Sequence, residues 1–434
     1  MRVTVTFTAV RSDATATTSV GELSFSRQLW PSIAARLPRT TNDLPNSSPA
    51  RTGRSRCSLR TIRSNSKNAV RQTARTRGRT MEKSAAQNDT ERSVESFVAL
   101  IRAQDVSGIV SWFSPEASLV VNGRKQDRIP FAGAYEGTDA VGQLLTRIFE
   151  AVEIHDLRPQ FTLRDASDEV GTKIVCCLNL VGTVRSTGTQ FDLEISAMVM
   201  VNGMGAVESA RVFYDTDITR RAFEEKSDTV LRDEKGSGIS EVSHAVSYDP
   251  KQIVPEIYKL IFEGVPKGTK VSFGDLARST AEFARHNVTK PPSFWWQLVR
   301  NFNVWDLSRQ SAALRPYYSP DLIHMIKGGE TEVELCGTYH GHQGLSDFAL
   351  TLFSDLEYEG VPPQLETIAE GNRCAVHMPE TFVNKATGTR AVVHMLHLWR
   401  FDDAGRVVEF KSYNDTFEIV HSYGLASAGG HYDG

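Results

Sequence analysis

The chain has 434 residues, of which 40% are hydrophobic and 23% charged, and its formal net charge is −3. That length accommodates two or three domains, each able to bury its own core, and the balance excludes fibrous and collagenous classes. No apolar run approaches the roughly twenty residues that cross a bilayer and no cleavable signal pattern is present, so neither a membrane partner nor secretion is expected.

The charge is unevenly spread. Residues 1–80 hold 15 Lys or Arg against 3 Asp or Glu, whereas the remainder holds 34 against 49. This first stretch is rich in Ser, Thr and Arg, contains Pro31, Pro38, Pro45 and Pro49, and shows neither helical nor strand periodicity. It cannot bury enough apolar surface to offset its ordering entropy, so a disordered basic leader is expected over 1–80. Three origins fit it: an organellar transit peptide, a nucleic-acid-binding arm built on Arg51, Arg54, Arg56, Arg60 and Arg63, or a natural start at Met81. The compositional break at Met81 favours the last, and nucleic acid is not expected as a partner.

The first predicted helix is entered through Asn88, Asp89 and Thr90 and carries Val94, Phe97, Val98 and Ile101 on one face. A short second helix is expected around Ile109, Val110, Trp112 and Phe113. Gly133-Ala134-Tyr135-Glu136-Gly137 follows, and then a stripe at Val141, Leu144, Leu145, Ile148, Phe149 and Val152, the spacing of a helix packed by one face and capped by Thr138. Two β-branched and aromatic runs, 173–184 and 190–201, flank a turn at Thr187-Gly188-Thr189. A last strand runs from Gly205 to Phe213-Tyr214-Asp215-Thr216.

The same series then recurs. Gly337-Thr338-Tyr339-His340-Gly341 repeats the G-x-Y-x-G element, and Ser319-Pro320 repeats Ser114-Pro115. The helical stripe returns at Leu345, Phe348, Ala349, Leu352, Phe353 and Leu356, the turn at Thr387-Gly388-Thr389, and the closing strand at Tyr413-Asn414-Asp415-Thr416. An internal repeat of this kind organises the fold. Domains are therefore expected at 88–225 and 251–425, joined by a polar linker over 226–250. Extra N-terminal helix is expected in the second, from Ile253, Ile257, Leu260 and Ile261 and from the aromatic stretch with Trp295, Trp296, Leu298, Val299, Phe302, Trp305 and Leu307.

The five cysteines, Cys57, Cys176, Cys177, Cys336 and Cys374, are odd in number and lack C-x-x-C spacing, which reads as reduced core residues in a cytoplasmic protein. His340-Gly341-His342 supplies two metal donors in a predicted loop with no third at metal-site spacing, so no metal is expected. No Walker loop, Rossmann glycine fingerprint or nucleophile elbow is present, so no cofactor is expected either.

In this order of helices, G-x-Y-x-G element and closing strands ending in Asp-Thr, the chain resembles the SnoaL-like group of the nuclear transport factor two-like superfamily. That group includes polyketide cyclases, and the superfamily includes ketosteroid isomerase. The resemblance covers about 90–225 and 293–425. It implies an α+β fold of two cone-shaped rolls, each a curved antiparallel sheet wrapped around helices, with a small apolar pocket in the open end. It further implies pairing of sheet against sheet, as an internal pseudo-dimer or a homodimer, and an acid/base Asp at the end of the closing strand, which points to Asp415 and Asp215.

The residues themselves favour the second copy as the working site. His377, Glu380, His394 and His397 stand where the first copy has Cys177, Leu180, Glu194 and Ala197. His394 and His397 lie on opposite faces of one strand, and bulky apolar neighbours on both parities leave open which of them enters the pocket. Tyr339 and Tyr135 pack under the following helix or offer a phenolic donor, and together with His377, Trp399 and Tyr413 they are candidates for contact with a small hydrophobic ligand. Two functions fit: a cofactor-free cyclase, isomerase or dehydratase acting by proton transfer on a carbonyl compound, or a non-catalytic binding or accessory module.

Overall fold

The structure, a computed structural model, describes residues 92–123, 129–165, 171–232, 246–265, 304–328, 333, 335–359 and 365–425, with single positions at 274, 277 and 281. The expectations about the basic leader, Cys57, the helix entry at Asn88 to Thr90, the linker segment 233–245 and the aromatic residues Trp295 to Phe302 lie outside the described residues. Chain contacts separate Met1–Arg71 from Gln72–Gly434, and everything below belongs to the second unit.

Residues 92–102 form helix α1, and α2 is a single short stretch, Val106–Val110, held at its start by the Asp105 carboxylate accepting from Gly108 N. Phe113, expected in that second helix, instead opens β1 (Phe113–Val121). After β2 (Gly133–Glu136) comes α3 (Gly137–Ala151), then β3 (Val152–Asp165), β4 (Thr172–Val184), β5 (Gln190–Val201) and β6 (Val207–Phe213). Helix α4 (Thr216–Glu224) and the two-residue β7 (Leu231–Arg232) follow. Thr138 does not cap α3: the helix begins at Gly137, and its cap position, Glu136, makes no side-chain cap bond.

The next elements are α5 (Pro250–Phe262) and α6 (Val304–Leu314). They precede β8 (Tyr318–Ile326), β9 (Gly337–His340), α7 (Gly341–Asp355), β10 (Leu356–Tyr358), β11 (Glu366–Glu370), β12 (Arg373–Asn384), β13 (Arg390–Phe401), β14 (Val407–Tyr413) and α8 (Thr416–Ser422). His340 and His342, expected in a loop, stand at the end of β9 and in the first turn of α7.

The strands build two seven-stranded sheets of matching order. One runs β2-β1-β6-β5-β4-β3 with β7 beside β5, and the other runs β9-β8-β14-β13-β12-β10 with β11 beside β12. The fold is α+β, with sheets that are mixed rather than wholly antiparallel: β1 lies parallel to β6 and β8 parallel to β14, because the chain between each pair is long enough to cross over. Register shifts at Ile154/Asp156, Pro159/Phe161 and Arg400/Phe401 bend the strands and curve the sheets.

The Ser-Pro and G-x-Y-x-G elements recur together for a steric reason. Gly341 has φ +64, and a Cβ there would stand 2.7 Å from the Pro320 carbonyl oxygen; Gly137, at φ +79, meets Pro115 in the same way at 3.3 Å. Only glycine admits both the left-handed backbone and that approach.

Each sheet has an inner face toward its helices and an outer face toward the other sheet. On β13, Ala391, Val393, Met395, Trp399 and Phe401 belong to the inner core, while Leu396 and Leu398 pack outward with Leu163, Val175 and Phe213 of the first sheet. Ion pairs cross the same seam: Lys411 Nζ lies 2.8 Å and Lys327 Nζ 3.2 Å from the Glu194 carboxylate. Burial alone would raise the Glu194 pKa, but those two ammonium groups outweigh it and hold the carboxyl down at about 2.

Candidate active site

Helix α5 stands outside the recurrent part of the chain, and it closes the inner face of the second sheet. Asp249 accepts from Lys251 N at 3.0 Å, and Pro250 follows as the first helical residue, a combination that starts a helix cleanly. Pro250, Val254, Ile257 and Tyr258 are the residues it buries. Its last carbonyls would lack partners, and Gln310 of α6 supplies them, donating through Nε2 to Leu260 O at 2.7 Å and Ile261 O at 2.8 Å.

Beneath these two helices lies a cavity of about 130 Å³. Its walls are mainly apolar, with Phe348, Leu352, Phe382 and Phe410 among them, and into it come Tyr258, His324, Tyr358, Glu380, His397 and Asn414. No Lys or Arg is among the described lining residues.

The chemistry of these groups follows from burial without a cationic partner. Glu380, on the inward parity of β12, is pushed up to about 7 by burial, a shift only partly offset by the hydrogen bond from Tyr358. Burial also holds His397 down at about 3; His324 sits at the same value, depressed by burial first and then by His397. Both rings are therefore neutral at physiological pH.

Tyr258 fixes the tautomer of His397. Its hydroxyl is 2.5 Å from His397 Nδ1, and its own pKa is raised well above the ordinary phenol value, by burial first and then by Glu380. Tyr258 is therefore the donor and Nδ1 the acceptor, which leaves the imidazole proton on Nε2. The rings also stack at 5.9 Å between centroids. The arrangement holds, on the lining of one mainly apolar cavity, a carboxyl that gains or loses a proton near neutrality and a neutral imidazole N–H donor.

Of the residues singled out in the sequence, His397 and Trp399 line this cavity. His394 does not: it lies on the opposite parity of β13, with Nδ1 3.2 Å from His377 Nε2, and its pKa is held near 4 by burial, Arg211 and His377. His377 also faces outward, edge-on to Phe213 of the first sheet. Tyr413 is buried in the seam between the sheets. Tyr339 and Tyr135 turn their hydroxyls back to the chain before them, donating to Leu335 O at 3.1 Å and Phe131 O at 2.9 Å, and neither lines the cavity.

Asp415 and Asp215 require the largest correction. Neither lines the cavity; each caps the helix that follows it, Asp415 accepting from Glu418 N and Asp215 from Ile218 N. Each also bonds across to the other half of the molecule. Thr216 Oγ1 donates to Asp415 at 2.9 Å, Thr416 Oγ1 donates to Asp215 at 3.0 Å, and Gly123 N donates to Asp415 at 3.0 Å. A short acceptor at the end of a strand and the start of a helix satisfies orphan N–H groups, and here it joins the halves as well.

Sequence reasoning missed His324, Tyr258, Tyr358 and Asn414 as site residues, and it noted Glu380 only as part of a polar enrichment. Among the described residues no group of three or more His, Cys, Asp or Glu is placed to hold a metal ion. The four described cysteines are buried and form no disulfide among the described residues, and no described helix is long and apolar enough to cross a membrane.

No family model matches the chain, and no curated protein does. Among solved structures, it is similar to an NTF2-like protein from Burkholderia xenovorans at 24% identity, with 32% of this chain and 97% of that one covered and a TM-score of 0.26. A computationally designed 17-OHP binder aligns at 17% identity over 29% of this chain and 91% of its own, with a TM-score of 0.25. A protein of ketosteroid isomerase-like fold from Catenulispora acidiphila, solved with trimethylamine, aligns at 12% identity over 28% and 83%, with a TM-score of 0.23. At such identities and TM-scores these likenesses carry no argument about activity, which rests on the cavity itself.

Proposed function

We propose that the chain is a tandem of two SnoaL-like units, over about 88–225 and 251–425, and that the cavity of the second performs cofactor-free proton transfer on a small carbonyl-bearing ring compound. The observation that carries this reading is Glu380: a fully buried carboxyl with apolar walls, no cation among the described lining residues, and a pKa of about 7. A group poised there is half ionised at the pH where it works, which is the condition for efficient general acid/base catalysis.

In this mechanism the Glu380 carboxylate removes a proton from the carbon next to the substrate carbonyl. The electron pair moves onto the carbonyl oxygen, where the His397 Nε2–H donates a hydrogen bond to the developing charge. The protonated Glu380 then returns the proton at another carbon or assists loss of a hydroxyl, giving isomerisation or dehydration. Tyr258 keeps the imidazole in the donating tautomer. The four described cysteines, buried and in no disulfide among the described residues, support a reducing, cytoplasmic setting for this chemistry.

Deuterium incorporation tests the reading. In D2O, the protein is expected to exchange the α-hydrogens of 2-cyclohexenone or cyclohexanone faster than buffer, as read by mass spectrometry, and Glu380→Gln to remove the acceleration. No acceleration over buffer would leave the second reading, a binding module without turnover, and acceleration that survives the substitution would remove Glu380 from the chemistry. The first sheet already favours that reading for its own half, since Leu119, Leu180, Ala197 and Tyr214 stand where the second has His324, Glu380, His397 and Asn414.

A further inference from the structure

Among the described residues, two buried side chains of the cavity lining that carry both a donor and an acceptor function have no hydrogen-bond partner for either atom. They are His324, through both ring nitrogens, and Asn414, through both amide atoms. His324 is 4% exposed and Asn414 1%. Native interiors pair nearly all such groups, and leaving them unpaired is costly, so two of them on residues that line one cavity need a reason.

The surroundings of His324 exclude a packing role for its nitrogens. Its ring lies between Phe348 and Phe410, with centroids at 4.3 and 4.5 Å, and the edge of Tyr339 stands 6.1 Å away. An isoleucine or leucine would fill that slot without stranding two nitrogens, and Leu119 does so at the corresponding register of the first sheet. Asn414 likewise stands where the first sheet has Tyr214, whose hydroxyl is satisfied at 2.6 Å by Asn122 O.

We infer that His324 and Asn414 are the polar anchor for the ligand of this cavity, and that the ligand is an uncharged ring compound carrying a hydroxyl or carbonyl group that pairs with them. The inference rests on the reading of the cavity as the binding site and adds the class of molecule it takes. A neutral imidazole and a carboxamide each offer one donor and one acceptor function, the set that a hydroxyl or carbonyl can satisfy. A carboxylate is excluded, because no lysine or arginine among the described lining residues would meet its charge in an apolar site. The scale fits a single ring, since an apolar protein cavity of about 150 Å³ admits benzene.

The test compares phenol, toluene and benzoate by titration calorimetry on the full chain. Phenol and toluene are expected to bind the wild type and benzoate not to bind. His324→Leu should weaken phenol about tenfold, leave toluene unchanged and raise Tm, because it removes stranded nitrogens. Asn414→Val should also weaken phenol and spare toluene. Benzoate binding as tightly as phenol, phenol affinity unchanged in both variants, or a lowered Tm in His324→Leu together with equal loss of phenol and toluene would overturn the inference. Failure of the wild type to exchange deuterium, with phenol still dependent on His324, removes the proton-transfer reading and leaves this one standing. Exchange lost in Glu380→Gln, with phenol indifferent to His324 and Asn414, does the reverse.

Discussion

The inner faces of the two sheets are built on the same strand order and differ in what they bury. Inside the first, Leu119, Val141, Leu144 and Tyr214 meet in a continuous core. Inside the second, Glu380, His324, His397 and Asn414 interrupt the apolar lining, and a helix from outside the recurrent series, α5, is laid across it. A buried carboxyl and buried imidazoles oppose folding. That one inner face carries them while its counterpart does without shows that the scaffold does not need them.

The contrast is broken most sharply at Glu380. Glu380→Leu, which installs the residue of the first sheet, is expected to lower deuterium exchange by about 10²–10⁴-fold, the range for loss of a general acid/base, while Leu180→Ala in the first sheet leaves exchange unchanged. Equal effects of the two substitutions, measured side by side, would erase the distinction between the two inner faces.

Stability against pH sharpens it next. The Glu380 pKa is raised from 4.5 to about 7, so between those values the folded protein holds a proton that the unfolded chain has lost. The stability this group contributes is complete below 4.5 and falls away as pH rises through 7. Glu380→Gln has no such loss, so its advantage over the wild type should grow to about 3 kcal/mol at pH 8 and shrink toward pH 4.5, as read from urea unfolding at each pH. His324 and His397 slope the opposite way: held neutral, they cost stability as pH falls below 6.5.

A smaller effect is expected at Tyr258. Tyr258→Phe releases His397 Nδ1 and lets the ring take either tautomer, which should reduce kcat about tenfold with little change in KM. The ¹⁵N shifts of the His397 ring should report the mixed tautomer directly. The smallest effect belongs to the paired aspartates. Asp415→Asn and Asp215→Asn keep an acceptor at each cap, so stability should fall by less than about 1 kcal/mol, the scale of losing a helix cap outright, and exchange should stay at the wild-type rate. A collapse of exchange in Asp415→Asn would return that residue to the chemistry.

The architecture was legible because its signals occur twice and each has a local cause. Gly137 and Gly341 are fixed by the carbonyls of Pro115 and Pro320, so the distant Ser-Pro and G-x-Y-x-G elements recur as one unit. The site was legible only in part. Strand β13 is apolar on both parities because one face meets helices and the other meets a second sheet, so the usual alternation could not assign His394 and His397 to their faces. The Asp-Thr ending drew attention to Asp415 because a helix cap and a catalytic acid leave the same mark on a sequence. His324 sits in the unremarkable apolar strand Leu322-Ile323-His324-Met325-Ile326, and only its lack of partners in three dimensions distinguishes it. Tyr258 belongs to a helix outside the recurrent series, where nothing in the chain signals a link to a strand 139 residues away.

The reciprocal bonds between Thr216 and Asp415 and between Thr416 and Asp215 make the halves mutual stoppers, each sealing the end of the other. Severed from its mate, either half would show water a bare sheet face and a buried charge without its counter-ion, Glu194 on one side and Lys411 on the other. The described part of Gln72–Gly434 should therefore melt in one step rather than two, and a chain clipped between 233 and 245 should hold together until both pieces let go at once.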